Sequence, residues 1–298
     1  MEFVAAALDV FRDKEEKTAS IIDYAIRHNI ALSPAKFRKS KSGYMFDRDA
    51  RIIYKGLESV KYLNAACADY LYSLRDQKYP SFADLLLEIS NSSQINARQL
   101  DVLIKIGFFS EFGNITELSR IVSLCDFFKA GKASSISCEK IDGTWMQPLI
   151  LPYASNIGKN GNTLKSYRFT DASGALRACT DFLLQQHLPD VSFRVKIQNQ
   201  QDYLGYVDLT TNRDEDRRKL FIMDLRPMVS KTGRSAGSVW GYAAFTRSLG
   251  SGKQLRFTIR TDLFDRIPVQ KGDVIYADKA YVNKSGYYYL DSYHQINE

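Results

Sequence analysis

The chain has 298 residues, 45% hydrophobic and 25% charged, enough for about two domains of an ordinary soluble globular protein. Lys and Arg number 41 against 34 Asp and Glu, a net charge of +7 that suits a polyanionic partner without requiring one. No apolar run approaches the roughly 20 residues that span a bilayer, and Glu2 and Asp9 stand where a signal peptide would be basic, so a cytoplasmic address with no membrane partner is expected.

In chain order, residues 4–28 read as an amphipathic helix pair, with Val4, Ala7, Leu8 and Phe11 on one face and Ile21, Ile22, Tyr24 and Ile26 following. Leu32-Ser33-Pro34 forces an extended exit, because the residue before proline avoids the helical region. A basic loop follows with Lys36, Arg38, Lys39 and Lys41 among Ser40, Ser42 and Gly43. It is placed to touch a phosphate backbone, and it reads equally as a solvated surface loop.

Residues 51–118 organise the rest. Ile52, Ile53, Leu57, Val60 and Leu63 lead into Ala65, Ala66, Ala68, Leu71 and Leu74, spaced for one buried helix face and broken at Gly56 and at Tyr62-Leu63-Asn64. In a second unit Asn96 is the expected N-cap before Leu100, Leu103, Ile104 and Ile106, with Gly107 as C-cap and Gly113-Asn114 at the next turn. Such short pairs must pack on each other to bury their faces. The pattern fits a tandem helix-hairpin-helix module, whose turn amides and helix N-termini meet phosphates; it also fits a small helical bundle without ligand. On the first reading the duplex contacts are Lys61, Asn64, Lys105, Gly107, Gly113 and Asn114, beside Lys36, Arg38, Lys39 and Lys41.

Residues 127–171 shift toward Gly, Ser, Asn and Lys and read as a linker. Ala172 to His187 is a predicted helix burying Leu176, Cys179, Phe182 and Leu183, ended by Pro189. Gln198 to Leu209 is expected to run from helix into strand, punctuated by Gly205. The pattern then changes to short β-rich runs at 220–225, 239–247, 253–260, 274–277 and 287–293, with a helical connection near Asp262, as in a five-stranded oligonucleotide-binding barrel. The fold class is therefore α+β. A Gly250-Ser251-Gly252 turn would pair Phe245 with Leu255, Ala243 with Phe257 and Gly241 with Ile259 inside. Trp240, Tyr242, Arg256 and Arg260 would then share the outer face. Aromatic rings and guanidinium groups together suit a single-strand groove; Trp240 stacked on Arg260 to close the barrel end is the structural alternative.

The four cysteines, Cys67, Cys125, Cys138 and Cys179, are scattered, as are His28, His187 and His294, so neither a zinc site nor a disulfide framework is indicated. No Walker loop, Ser-His-Asp arrangement or H-E-x-x-H pattern is visible.

Glu2-Phe3 with Ala5-Ala6-Ala7, the Ile22–Ile30 segment, Leu32-Ser33-Pro34, Tyr44-Phe46, Ile53 with Gly56-Leu57, Leu103-Ile104 with Gly107 and Phe109, and Gln201-Asp202-Tyr203-Leu204-Gly205-Tyr206 follow in order. Together they resemble the alpha subunit of bacterial DNA polymerase III. The resemblance implies a remnant of the fingers at 1–49, tandem hairpins at 50–126, the linker, a connector at 172–215 and an oligonucleotide-binding domain at 216–298. It implies DNA partners, duplex on the hairpins and single strand on the barrel, and a polypeptide supplying palm and fingers. That family's nucleotidyltransferase aspartates lie in the palm, upstream of every matched segment, so no catalytic residue is assigned and magnesium is expected only in that absent palm. Gln147-Pro148-Leu149-Ile150-Leu151 distantly resembles the family's sliding-clamp-binding peptide, with Pro148 in an apolar position and the final aromatic missing. The first hairpin also departs from the family, carrying Tyr62-Leu63-Asn64 where two glycines flank a hydrophobic residue. Two readings follow: the DNA-holding part of a split or truncated replicative polymerase, or a self-standing nucleic-acid-binding or adaptor protein.

Overall fold

The structure, a computed structural model, describes residues 1–12, 14–204, 217–230, 236–249 and 254–296. The expected strand after Gly205, the acidic Asp214-Glu215-Asp216 and the Gly250-Ser251-Gly252 turn lie outside these. Helices α1 (Glu2–Val10) and α2 (Glu15–Arg27) pack on a small sheet of β1 (Ala31–Ser33), β2 (Met45–Asp47) and β3 (Ile52–Tyr54). Val4, Leu8, Ala25, Ile30 and Ile53 fill the space between them. The expected helix from Ile52 to Leu63 is instead β3 followed by one 3-10 turn at Leu57–Ser59. Two β-branched residues in succession favour extended backbone, and β3 has partners on both sides, parallel to β1 and antiparallel to β2. Gly56 then lets two backbones touch: a Cβ there would sit 2.4 Å from the Gly43 carbonyl carbon.

Helices α3 (Ala65–Ser73), α4 (Phe82–Ser90), α5 (Ala97–Lys105) and α6 (Ile115–Phe127) share one core with the later α8 (Ala172–Gln185). Their starts are locally encoded. Asn64, Ser81, Asn96 and Asn114 each accept a hydrogen bond from the amide three residues on, and Asn96 with Gln99 and Asn114 with Glu117 form reciprocal capping boxes. Gly107 ends α5 at φ +75, and the next amide, Phe108 N, donates back to Leu103 O at 3.0 Å, as a Schellman motif requires.

The segment that reads as a linker is folded. β4 (Ser135–Ser137), α7 (Gln147–Ile150), β5 (Ala154–Ile157) and β6 (Thr163–Phe169) lie between α6 and α8, with β6 central in a three-stranded sheet. Ile136, Ile141, Ile150, Ala154 and Tyr167 from this segment join the helical core, so its polar composition conceals a buried side. After α8, helix α9 (Phe193–Leu204) leads toward the C-terminal part.

There β7 (Lys219–Val229), β8 (Val239–Ser248), β9 (Gln254–Arg260), β10 (Val274–Val282) and β11 (Tyr288–Gln295) close into a barrel in the order β10-β11-β9-β8-β7, with α10 (Thr261–Arg266) between β9 and β10. The fold is mixed α and β, with a helical N-terminal half and a closed five-stranded β-barrel. β9 and β11 pair parallel. Leu220, Ile222, Ala244, Phe257, Ile259, Ile275 and Leu290 fill the interior. The expected β8–β9 register is off by one residue: Ala244 faces Phe257, Tyr242 faces Ile259 and Phe245 faces Arg256. Because side chains alternate, that step moves residues between faces. Helix α9 joins barrel to helices, with Ile197 buried against Phe221, Leu249 and Val274 and Arg194 3.1 Å from Asp273. Among the described residues no helix is long and apolar enough to cross a membrane.

Candidate nucleic-acid interface

The basic loop is fixed to the second hairpin. Phe37 is buried against Phe108, Phe109 and Phe112, and its amide donates to Phe108 O at 3.0 Å. Arg38 does not project to solvent. Its Nε reaches Glu111 at 2.8 Å, and Nη1 donates to the carbonyls of Arg75 and Gln77 at 2.6 and 2.7 Å. Those bonds hold Arg38 at φ +69 and tie its guanidinium to the fold. Lys36, Lys39 and Lys41 stay exposed, and Lys41 Nζ lies 4.7 Å from the centre of the Tyr72 ring. Arg75 reaches the same ring at 4.3 Å. Arg75 is paired with Asp76 at 3.1 Å, so Lys41 on the half-buried aromatic and the two further exposed lysines carry the positive surface that favours an anion.

The hairpin residues separate into three kinds. Asn64 and Asn114 are helix caps whose side-chain oxygens are already occupied by Cys67 N and Glu117 N. At the start of α6, Asn114 Nδ2 also donates to Leu188 O at 2.7 Å and Ile115 N to Asp190 Oδ1 at 3.1 Å. A carboxylate of the same chain thus sits where a phosphate was expected, favoured by the same helix dipole. Gly113 packs against the Glu117 carboxylate, where an added Cβ would lie at 2.9 Å. Gly107 is different, because a Cβ there would meet nothing within 4 Å. Lys105 is paired with Asp101 at 2.7 Å, and that hydrogen bond holds its ammonium above the ordinary pKa, so it stays charged. Lys61 is exposed in the first turn.

The four barrel residues do not share one face. Tyr242 lies on the side of Ile259, and its ring stacks on Phe264 of α10 at 3.8 Å. Trp240, two residues before, falls at a register shift between β7 and β8 and is 41% exposed. Arg256 and Arg260 belong to the opposite, outer side, paired with Phe245 and Gly241. There Arg226 and Arg256 flank Phe245 at 5.0 and 5.8 Å. Arg260 lies 5.9 Å from the Tyr289 ring and donates to Tyr281 Oη at 3.1 Å, while Tyr281 and Tyr289 stack at 5.3 Å.

The helix-hairpin-helix motif family matches residues 12–117. Over 116 residues the chain is 34% identical to the DNA polymerase III subunit alpha of Campylobacter jejuni, a match that covers 38% of this chain and 10% of that protein. The chain carries a polymerase III alpha-like helix-hairpin-helix region. The segment matched by the helix-hairpin-helix family runs from α2 through the small sheet to the start of α6.

Sequence reasoning missed Tyr72, in a helix read only for its buried side, Arg75, just beyond that helix's C-cap, and Arg98, whose guanidinium lies 3.5 Å from the centre of the Tyr62 ring. On the barrel it missed Arg226, Phe245, Tyr281 and Tyr289; the signal for Phe245 was the register. The expected clamp-binding peptide is folded into α7. Gln147 Nε2 donates to Asp142 Oδ1 at 3.2 Å and to Tyr167 Oη at 3.3 Å, and Ile150 is buried, so no extended peptide stands there.

Proposed function

We propose that this chain holds DNA without reading its sequence, as the DNA-binding part of a replicative polymerase whose chemistry resides on another polypeptide. The observation that carries the reading is the exposed lysine loop fastened to the polymerase-like second hairpin by Phe37 and Arg38. A rigid loop presents Lys36, Lys39 and Lys41, with Arg75 and Tyr72 beside them, to a duplex backbone at low entropic cost. The barrel takes single strand. Its closed five-stranded form, with a helix between the third and fourth strands, resembles an oligonucleotide-binding barrel and supports that role. The surface that fits is the corrected outer one: bases stack on Phe245, Tyr281 and Tyr289 while Arg226, Arg256 and Arg260 meet phosphates. A partner bearing palm and fingers has a place to dock on α1, where Phe3 and Val10 are 77% and 73% exposed while Val4 and Leu8 are buried in the chain's own core.

The test is fluorescence anisotropy with duplex and single-stranded oligonucleotides at two salt concentrations. Duplex affinity should fall steeply with salt and vary little with sequence, and the triple variant K36A/K39A/K41A should flatten the slope by up to about 0.9 for each phosphate no longer neutralised. An unchanged slope removes the loop from the interface. The chain alone should not extend a primer, and magnesium-dependent extension by the purified chain would refute the reading.

A further inference from the structure

The first hairpin turn opens onto a cleft of about 570 Å³ between the helical half and the barrel, a volume in the range of small-ligand sites. Lys61, Tyr62 and Arg98 line it from the hairpin side, Tyr203 from the end of α9, and Met223 and Lys271 from the barrel. Lys61, Arg98 and Lys271 make no ion pair among the described residues. The two acids on the wall are engaged: Asp101 accepts from Lys105 Nζ at 2.7 Å and Asp202 from Gln198 Nε2 at 2.7 Å. Three cations from three parts of the chain therefore line the space, against Asp202, which accepts from a neutral amide and keeps its charge, and with Asp224 acting on Lys271.

The aromatic part is held in place. Tyr62 sits at φ +72, a conformation its side chain tolerates poorly, and the turn is fixed by Lys61 N donating to Tyr203 O at 2.9 Å and Gln99 Nε2 to Tyr62 O at 3.4 Å. The ring is 50% exposed, with Tyr203 edge-on at 6.4 Å. The Arg98 guanidinium lies against it at 3.5 Å from the ring centre, an arrangement that leaves edge N–H groups for a phosphate. In a helix-hairpin-helix turn built with glycine, the backbone itself meets phosphate. Here a ring and three cations replace that bare backbone.

We infer that the cleft is a nucleotide site that takes one unpaired nucleotide of a DNA strand, its base against Tyr62 and Tyr203 and its phosphate against Lys61, Arg98 and Lys271. The inference rests on the DNA-holding reading above and adds a station between the duplex surface and the barrel.

The experiment uses the full chain and two labelled DNAs, a blunt duplex and the same duplex with a five-nucleotide single-stranded overhang. Lys271→Ala, on the barrel wall, and Tyr62→Gly should each weaken overhang binding about ten-fold and leave blunt-duplex binding within about two-fold. Thermal melting checks the fold; Lys271 is exposed, so Lys271→Ala carries the test if Tyr62→Gly melts early. An overhang bearing 5-iodouracil should crosslink under ultraviolet light to the peptide containing Tyr62. Unchanged overhang affinity in both variants, while K36A/K39A/K41A still weakens duplex, overturns the cleft and leaves the DNA-holding reading intact. Tighter blunt-duplex binding by Tyr62→Gly with overhang binding unmoved would make the turn an ordinary phosphate-binding hairpin. Thymidine monophosphate binding tighter than the overhang, by calorimetry, would make the site one for free nucleotide and overturn the strand. No binding of either DNA by the unmutated chain would sink both readings.

Discussion

In the second hairpin the helix start after the turn is capped by its own chain. Gly107 keeps the left-handed conformation that glycine supplies, yet the following helix start is occupied by Asn114, Glu117 and the distant Asp190. In the first hairpin Tyr62 stands in the left-handed position, and the turn still faces open space lined with cations. The glycine pattern is therefore a poor guide to which turn can meet a ligand. What decides is the charge brought in from elsewhere: a carboxylate after α8 in one case, Arg98 and Lys271 in the other.

The comparison can be broken most forcefully at the core. Phe109, in the second turn, is fully buried with ring centres of Phe37, Phe82 and Phe108 at 5.7, 5.2 and 4.9 Å. Phe109→Ala should cost about 3–5 kcal/mol in urea unfolding, because a large cavity forms where the turn is packed. Asn114→Ala should cost about 1–2 kcal/mol, since the cap and the bond to Leu188 O disappear together. If it costs nothing, these groups do not hold the start of α6. Gly107→Ala, which meets no atom but must hold φ +75, should cost about 1 kcal/mol.

The α4 and α8 helices that enclose α6 are clamped by Asp84 and Arg177 at 2.7 Å. Burial alone would raise the Asp84 pKa, but the hydrogen bonds from Ser81 and Arg177 outweigh it and hold the carboxylate below its ordinary value. Its folded pKa is depressed, so its stabilising contribution is present above the unfolded value of about 4 and is lost as pH falls below it. Arg177 is half exposed, so the effect is screened and should stay under about 1 kcal/mol. Stability measured from pH 6 down to pH 3 should fall less steeply in Arg177→Ala than in the parent. The smallest expected change is Tyr62→Gly, within about 0.5 kcal/mol of the parent, as relief of the left-handed tyrosine offsets the missing Arg98 stacking and the added freedom of the unfolded chain.

Signals confined to a few residues were legible. Asn96 ahead of Leu100, Gly107 at the end of an apolar run, and the five β-rich runs each act within their own segment, and the structure has the cap, the left-handed glycine and five strands there. What failed depended on partners. Ile52, Ile53 and Leu57 fit a helix face, but β1 and β2 lie on both sides of β3 and decide for strand. The stretch at 127–171 is rich in Gly, Ser and Lys, and its buried Ile136, Ile141, Ile150 and Tyr167 fall at no helical or strand period. For the barrel, the register placed across the Gly250-Ser251-Gly252 segment was one residue out. That error joined Tyr242 to Arg256 and Arg260 on a face they do not share. In the candidate site, lysine exposure could be read from composition, but the withdrawal of Arg38 could not, because its acceptors lie 37 and 39 residues away.

The parallel pairing of β9 with β11 has a consequence for how the chain is made. β9 gains its second neighbour only from Tyr288–Leu290, and β10 is joined on one side to β7 and on the other to β11. As residues leave the ribosome in order, β7, β8 and β9 can form a meander early, but its β9 edge stays unpaired until residue 290 has emerged. During that interval Phe257 and Ile259 lack the β11 neighbours that cover them in the closed barrel, so nascent chains stalled between β9 and β11 are those a holdase chaperone would engage.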